Sequence, residues 1–154
     1  MSCTLREQMF LTANQWDKIH WDPNESSTRE ATLAGLTTPD FIVHTFPSSL
    51  RISDRNRKQH ATFQSRYLEE FDVTGTVCVK MDIDEAERMV VYHGYVYGKT
   101  GRQDFHEGFI HKLTLTDDGS MVKVFDVFID RQLDNGRASR RASIHAAQDA
   151  YCQK

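Results

Sequence analysis

The chain has 154 residues, 39% of them hydrophobic and 27% charged, which suits one domain, residues 1–154, built around one apolar core. Its formal net charge of −3, with both signs mixed along the chain, argues against a dedicated binder of the nucleic-acid backbone. The three cysteines form no CxxC pair, and no apolar run approaches the roughly 18 residues of a membrane span, so we expect a cytoplasmic protein without disulfides.

The N-terminal third carries helical patterns. Charges at Arg6 and Glu7 and the lack of a continuous apolar stretch argue against a signal peptide. An apolar stripe at helical spacing supports a first helix; its members are Leu5, Met9, Trp16 and Ile19. Asp22-Pro23-Asn24 then breaks the run. Ser27 and Glu30 have the form of a capping box and predict a second helix to about Leu36.

An early strand and a third helix follow. The segment Phe41–Phe46 is rich in β-branched and aromatic residues, which predicts a strand that ends at Pro47. Ser53 or Asp54 can cap a helix that runs to about Phe71. Its buried face is predicted to comprise His60, Phe63, Tyr67 and Phe71.

The second half of the chain reads as strands joined by short polar turns. The predicted strands are Val73–Asp82, Met89–Tyr97, Gln103–Thr116 and Met121–Asp130, with Asp117-Asp118-Gly119 as a hairpin turn. Short turns between successive strands predict an antiparallel meander. The polar segment 132–154 is expected to be a short helix or a frayed tail. The element order predicts an α+β fold with the helices on one face of the sheet.

Two apparent motifs do not predict the sites that they resemble. His106-Glu107 with His111 resembles the zinc-binding HExxH sequence, but the spacing is longer by one residue and a strand would point positions 106 and 111 to opposite faces. Gly98-Lys99-Thr100 resembles the end of a phosphate-binding loop, but His93 stands where that motif needs its first glycine. We therefore expect neither a metal site nor a nucleotide site there, and no cofactor.

Three segments and the order of the elements resemble a known superfamily over about residues 4–131. The segments are HTFPSSL at 44–50, RMVVYH at 88–93 and LTLTDDGSMVKVFDVFID at 113–130. The chain is similar to the nuclear transport factor 2-like superfamily, and within it to the small SnoaL-like isomerases and cyclases of fungal polyketide and meroterpenoid pathways. The resemblance implies a cone-shaped sheet wrapped around the helices, with one substrate pocket at its open end. It also implies a homodimer formed through the outer face of the sheet.

Alternation of side chains along the strands predicts which residues line this pocket. Matching the Gly119 hairpin to the family places Asp126 inward, and counting back along the preceding strand places Glu107 and His111 inward. The opposite face of the last strand is mostly apolar and would then need cover, which a second copy would supply; it carries Phe125, Val127 and Ile129.

The family pattern has a histidine at position 93, which turns His93 and Tyr95 inward, and matching Pro47 turns His44 and Phe46 inward as well. The predicted catalytic candidates are His44, His93, Glu107, His111 and Asp126. The predicted aromatic walls are Trp16, Phe46, Phe63, Tyr67, Tyr95, Phe109 and Phe128.

Structural roles are open for the same residues. Asp126 lies in an apolar strand and could pair with a basic residue of a neighbouring strand. His93 could be a hydrogen-bonded core histidine, Glu107 could pair with a pocket histidine, and His44 and His111 could line the pocket without essential chemistry.

Two acids and three histidines in one pocket can hold a proton donor and a proton acceptor near neutral pH. The resemblance then implies a cofactor-independent isomerase or cyclase that acts on a hydrophobic, oxygenated polyketide or meroterpenoid, such as a ketone or lactone. Asp126 and His93 would remove a proton, and His111 or Glu107 would return it or stabilise the oxyanion. One alternative is a module that binds a small ligand or docks a protein without chemistry. The other is a dehydratase of the scytalone type, with Tyr67 and Tyr95 holding a water molecule.

Overall fold

Three helices and six strands make up the part of the chain that this computed structural model describes, residues 2–129. The helices are α1 (Leu5–Trp21), α2 (Arg29–Ala34) and α3 (Arg57–Glu70). The strands are β1 (Thr37–Phe46), β2 (Arg55–Asn56), β3 (Asp72–Asp84), β4 (Met89–Thr100), β5 (Gln103–Leu115) and β6 (Val122–Ile129). The segment 132–154, predicted to be a helix or a tail, lies outside the described residues. No helix of the described part is long and apolar enough to cross a membrane.

Side-chain caps define where the two long helices begin. Thr4 caps α1: its backbone N–H donates to the Glu7 carboxylate at 2.7 Å, and its hydroxyl accepts from the Glu7 backbone at 3.2 Å. Asn56 and Gln59 form the same reciprocal pair at the start of α3, so that helix begins later than the predicted cap at Ser53 or Asp54. The apolar stripe of α1 is buried as predicted, with Trp16 fully enclosed.

Arg29 ties the three helices together. Its guanidinium is 1% exposed and donates to the Ile19 carbonyl at 2.5 Å and to the Asp22 carbonyl at 2.6 Å, at the end of α1. Its Nε donates to the Ser65 hydroxyl of α3 at 3.2 Å. Because the last carbonyls of a helix have no partner within it, these bonds satisfy otherwise orphaned acceptors and fix the end of α1 beside the cavity described below.

The strands form one curved sheet in the order β2-β1-β6-β5-β4-β3. β3 to β6 are the predicted antiparallel meander, whereas β1 joins the free edge of β6 in parallel, a pairing that the sequence did not predict. The helices pack on one face, and the core lies between that face and α1, with Trp16 against Phe125 at 4.8 Å between ring centroids. The predicted α+β fold, with a curved, unclosed sheet around the helices, is confirmed.

A β-bulge in β6 reverses the predicted inward face of that strand. Val122 pairs with Leu115, and Val124 pairs with Thr114, so Lys123 is one extra residue on the β6 side. Val122 points inward, as predicted, but the extra residue shifts the alternation by one. Phe125 is therefore fully buried, and Asp126 and Phe128 lie on the outer face.

The predicted faces of β4 and β1 are also wrong, whereas that of β5 is right. In β4 the buried side chains are those of Val90, Tyr92 and Val96, and Tyr92 lies directly opposite His111 of β5. The alternate β4 residues, His93 and Tyr95 among them, point to the outer face. His44 and Phe46 of β1 pair in register with Asp126 and Phe128 of β6 and share their outer face.

Candidate functional site

A narrow cavity lies between the end of α1, the face of α3 and the inner side of β1, β5 and β6. Its volume is about 50 Å³, room for a few water molecules and well below the roughly 300–1,000 Å³ of typical ligand pockets. The walls are mostly apolar, from Trp21, Phe63, Tyr67, Phe109, Val127 and Ile129. The polar side chains of the lining are Thr45, His20, Arg55, His60, Gln64, Glu107 and His111.

Three histidines from three elements meet in this cavity. The His20 ring of α1 stacks on the His60 ring of α3 at 5.6 Å and meets the His111 ring of β5 edge-on at 5.0 Å. Burial lowers the pKa of all three, and the charges of Arg29 and Arg55 lower the pKa of His20 and His60 further. The pKa of His111 falls to about 3. All three imidazoles are therefore neutral near neutral pH and can act as bases or as hydrogen-bond donors.

Several buried polar atoms in and behind this wall lack a hydrogen bond. Within residues 2–129, the Nδ1 atoms of His20 and His60 and the Nε1 atoms of Trp16 and Trp21 have no partner. Unsatisfied buried polar groups are uncommon in folded proteins, since each costs roughly 1–3 kcal/mol. Three of these four atoms belong to residues that line the cavity, His20, Trp21 and His60, so they are candidates to bond a ligand there.

His111 has a defined partner on one side of its ring. Its Nδ1 lies 3.1 Å from the Tyr92 hydroxyl, and both side chains are almost completely buried. The bond fixes the ring orientation and leaves Nε2 as the nitrogen available to a ligand. Burial, and then the neighbouring Asp17 carboxylate, raises the pKa of Tyr92 well above its usual value, so this hydroxyl keeps its proton.

Arg55 and Glu107 bring the formal charges of the lining. Arg55 of β2 is 2% exposed; its Nη2 donates to the Thr45 hydroxyl at 3.1 Å, and its guanidinium lies 4.1 Å from the Phe63 ring centroid. Glu107 of β5 is 7% exposed and lines the same cavity as His111. Among residues 2–129, no group of three or more His, Cys, Asp or Glu is placed to hold a metal ion.

Of the predicted catalytic candidates, the structure brings His111 and Glu107 into the cavity and places the others on the outer face of the sheet. Asp126 forms an ion pair with Lys112, with Oδ2 3.3 Å from Nζ. His44 Nδ1 lies 2.9 Å from Asp54 Oδ1, and His93 is exposed. The prediction that these three residues face the pocket is wrong, because the alternation on each of their strands is opposite to the one inferred.

The predicted aromatic walls divide in the same way. Phe63, Tyr67 and Phe109 line the cavity. Phe46 and Phe128 stack on each other on the outer face at 4.9 Å, and Tyr95 stacks there on His106, also at 4.9 Å. Trp16 is a core residue behind the cavity, where its indole stacks on His60 at 6.0 Å.

Sequence reasoning missed several cavity residues. Extending the α1 stripe by one turn from Trp16 leads to His20, so the signal for that residue was present in the helical spacing. Gln64 follows His60 by one turn of α3 in the same way. Arg55 had no such signal, because it reaches the cavity through a two-residue strand that pairs with β1.

No protein-family model matches the sequence, and no curated protein matches it either. Solved structures do match it. PrhC from Penicillium brasilianum superposes with a TM-score of 0.72 at 19% identity, over 96% of this chain and 94% of that one. BvnE pinacolase from Penicillium brevicompactum gives 0.68 at 20% identity, over 98% and 100%. A protein from a Jannaschia species, assigned as a SnoaL-like polyketide cyclase, gives 0.61 at 14% identity, over 79% and 86%.

These likenesses confirm the nuclear transport factor 2-like fold of the SnoaL-like proteins, which the sequence resemblance had implied. Because one fold of this kind supports many reactions, the activity has to be argued from the cavity itself.

Proposed function

We propose that the chain is a cofactor-independent isomerase or cyclase that rearranges a hydrophobic, oxygenated ketone or lactone of fungal secondary metabolism by acid–base catalysis. One observation carries this proposal: a neutral His111, held at Nδ1 by Tyr92, shares an aromatic cavity with the Glu107 carboxylate. The fold shared with PrhC and with BvnE pinacolase, both from Penicillium species, supports the fungal setting, and the fold shared with the Jannaschia protein assigned as a polyketide cyclase supports the reaction class.

In the proposed reaction, His111 Nε2 removes a proton from the carbon next to a carbonyl group, and the charge moves onto the carbonyl oxygen. The neutral imidazoles of His20 and His60 and the guanidinium of Arg55 line the same cavity and would stabilise that oxyanion. Glu107 would hold a proton or deliver it to a different carbon of the substrate, which completes the rearrangement. A rearranging substrate is larger than the present cavity, so the half-buried Phe63 and Tyr67 would have to move aside on binding.

The test is proton exchange and product formation with the full chain. Terpenoid and polyketide ketones and lactones would be incubated in D₂O and followed by mass spectrometry for deuterium uptake and for an isomer of equal mass. We expect both with at least one of these compounds. His111→Gln and Glu107→Gln should each lower turnover by about 10²–10⁴-fold, because each removes a group that exchanges protons with the substrate.

His93→Ala and Asp126→Asn should retain near-wild-type turnover, since both side chains lie on the outer face. Loss of turnover in these two variants, with full turnover in His111→Gln, would overturn the proposed site. A product that has lost water would instead indicate a dehydratase, a rival that Tyr67 beside the histidines favours. Tight binding without deuterium uptake would indicate the non-catalytic binding module, which the narrowness of the cavity favours.

We also propose a homodimer through the outer face of the sheet. The apolar face that originally suggested it, with Phe125, Val127 and Ile129, in fact points to the core and the cavity. The true outer face supports the same assembly on different residues, because Phe46, Phe128 and Ile110 lie side by side there and are 37–43% exposed.

A further inference from the structure

Thr45 carries a buried hydroxyl on the wall of the cavity that the proposed reaction does not use. The residue lies on the inner face of β1, is 8% exposed and lines the cavity. β1 is held on both sides, by β2 and by β6, and a β-branched side chain has little freedom about its first torsion angle. The hydroxyl therefore has a defined position before any ligand binds.

Arg55 fixes one side of this hydroxyl. Its Nη2 donates to Thr45 Oγ1 at 3.1 Å. The guanidinium is itself held, since Nη1 donates to the Ser53 carbonyl oxygen at 3.4 Å and the central carbon lies 4.1 Å from the Phe63 ring centroid. A guanidinium has donors only, so the proton of the Thr45 hydroxyl cannot point towards it.

The proton of the Thr45 hydroxyl is not used in a hydrogen bond. Within residues 2–129, the bond accepted from Arg55 is the only hydrogen bond of this side chain. A hydroxyl that accepts a hydrogen bond from a charged donor is polarised, which makes it a stronger donor in turn. A buried donor of this kind at the wall of a cavity gains most from an acceptor that a ligand brings.

The register of the strands places Thr45 across the cavity from His111. Thr45 of β1 pairs with Val127 of β6, and Val127 pairs with His111 of β5, so the three residues form one row on the inner face. The Cα atoms at the two ends of the row are two strand spacings apart, about 10 Å. One carbonyl group and its α-carbon can bridge that span, with a contact of about 3 Å at each end.

We propose that Thr45 is a further catalytic residue, whose hydroxyl, polarised by Arg55, donates a hydrogen bond to the carbonyl oxygen of the substrate and to the oxyanion that forms there. The catalytic part of this inference rests on the proposed function, whereas the binding of a carbonyl group does not require turnover. A donor that is already in place strengthens its bond as negative charge develops, which lowers the barrier to proton removal.

The proton and the electron pair can be followed through the step. His111 Nε2 takes the proton from the α-carbon, and the electron pair of the broken C–H bond moves through the new C=C bond onto the carbonyl oxygen. Thr45 donates to that oxygen without giving up its own proton. When a proton is delivered to a different carbon, the charge leaves the oxygen and the hydroxyl is again bonded to a neutral group.

The assignment also orients the substrate in the cavity. Its carbonyl oxygen points towards β1, its α-hydrogen points towards His111 on β5, and Val127 forms an apolar floor between the two. A ketone or a lactone has the required acceptor at this position. An analogue with a methylene group in place of the carbonyl leaves the Thr45 proton without a partner and should be rejected.

The first test reads the hydrogen bond directly and needs no turnover. Cyclopentanone labelled with ¹³C at the carbonyl is titrated into the full chain, and the stretching band of the bound ketone is read by infrared difference spectroscopy. We expect saturable binding to the wild type and a band at lower frequency than in Thr45→Val, because a hydrogen bond to the oxygen weakens the C=O bond. Thr45→Ser should restore the wild-type band. Thr74→Val, the same change at an exposed position of β3, should behave as wild type.

Three results of this experiment would overturn the assignment: no saturable binding of the ketone to the wild type, a wild-type band at the frequency found in an apolar solvent, or the same band in wild type and Thr45→Val. The first two need no variant. Thr45→Cys keeps a side chain of similar size whose thiol is a weak donor, so its band should lie close to that of Thr45→Val and serves if the valine variant does not fold.

With a substrate that is turned over, Thr45→Val should lower kcat by about 10²–10³-fold and change KM much less, because the bond is strongest in the transition state. Thr45→Ser should rescue most of the lost kcat. Full kcat in Thr45→Val would overturn the catalytic role. A wild type that shows the infrared shift but turns over no ketone or lactone would instead reject the proposed function and leave Thr45 as the donor to a bound carbonyl group.

Discussion

The three cavity histidines differ in the contacts that hold their imidazole rings. Of these three, only His111 has a hydrogen bond at Nδ1 within residues 2–129, whereas the His60 ring stacks on both Trp16, at 6.0 Å, and His20, at 5.6 Å. Because burial lowers the pKa of each ring, the cavity gains polarity from them without charge. The same burial makes stability depend on pH.

We predict that the protein loses stability in mild acid. The pKa of each of these histidines is lower in the folded state than its usual value near 6.5, so the unfolded chain takes up protons first as the pH falls. Stability is then fully present above pH ~6.5 and decreases as the pH falls towards 3, by up to about 1.4 kcal/mol per pH unit for each histidine. Urea unfolding between pH ~7 and ~5 measures this slope, which we expect to be about 3–4 kcal/mol per pH unit near its steepest.

The matched variants are His60→Gln and His93→Gln. The first removes one buried ring and should reduce the slope by about one third, whereas the second removes an exposed ring that stays in water on folding and should leave the slope unchanged. A urea midpoint that is constant over this pH range would contradict the assignment of three neutral buried histidines.

At the scale of the elements, the helices and the meander could be predicted because their signals are local. Capping residues, an apolar stripe and short polar turns each lie within a few residues of the structure that they specify. The pairing of β1 with β6 joins segments about 80 residues apart, and no local pattern encodes it. β2 is also missing from the prediction, because a two-residue strand has no period to detect.

The faces of the strands decided how much of the site could be predicted. The inward face of β5 was right, which gave Glu107 and His111. In β6 a single extra residue, Lys123, reversed the alternation, and a bulge of this kind has no clear mark in one sequence. In β4 both faces carry large apolar or aromatic residues, so hydrophobicity could not choose between Tyr92 and His93.

Two glycines of β4 mark where the sheet bends. β3 has a bulge between Cys78 and Lys80, beside Gly94, where a Cβ atom would collide with the Val77 carbonyl oxygen. A second irregularity of β3 lies beside Gly98, where a Cβ atom would collide with the Asp72 carbonyl oxygen. The absent side chains allow the two strands to approach closely and the sheet to curve around α1.

We therefore predict that Gly94→Ala lowers the free energy of unfolding by about 1–3 kcal/mol or more, because the backbone of β3 must shift. Gly75→Ala is the matched control: the added methyl group would lie 3.8 Å from the Tyr97 ring, an ordinary contact, so it should stay within about 1 kcal/mol of wild type. Urea unfolding of the two variants measures the difference. Equal stability of the two would mean that β3 and β4 are not packed this closely at Gly94.

At the scale of the whole molecule, the two faces of the sheet serve different purposes. The inner face carries the core and a mostly apolar cavity that holds a few polar side chains, with His111 and Glu107 on one strand. The outer face carries a row of side chains in register across three neighbouring strands, Phe46, Phe128 and Ile110, with the Lys112–Asp126 ion pair one position along. Exposed apolar side chains that lie side by side mark a candidate protein interface.

The proposed homodimer makes this row the centre of the contact, and we predict that a charge there separates the subunits. Ile110 is 43% exposed and lies directly opposite Phe128, so a carboxylate at position 110 of both subunits would have to lose its water in the middle of the apolar contact. Light scattering at micromolar concentration should give twice the chain mass for wild type and a single chain mass for Ile110→Glu. Leu11→Glu adds the same charge at a position of α1 that is 55% exposed, away from the sheet, and should remain dimeric. A wild-type chain that is monomeric at these concentrations would leave the row of apolar side chains open to solvent and exclude the dimer.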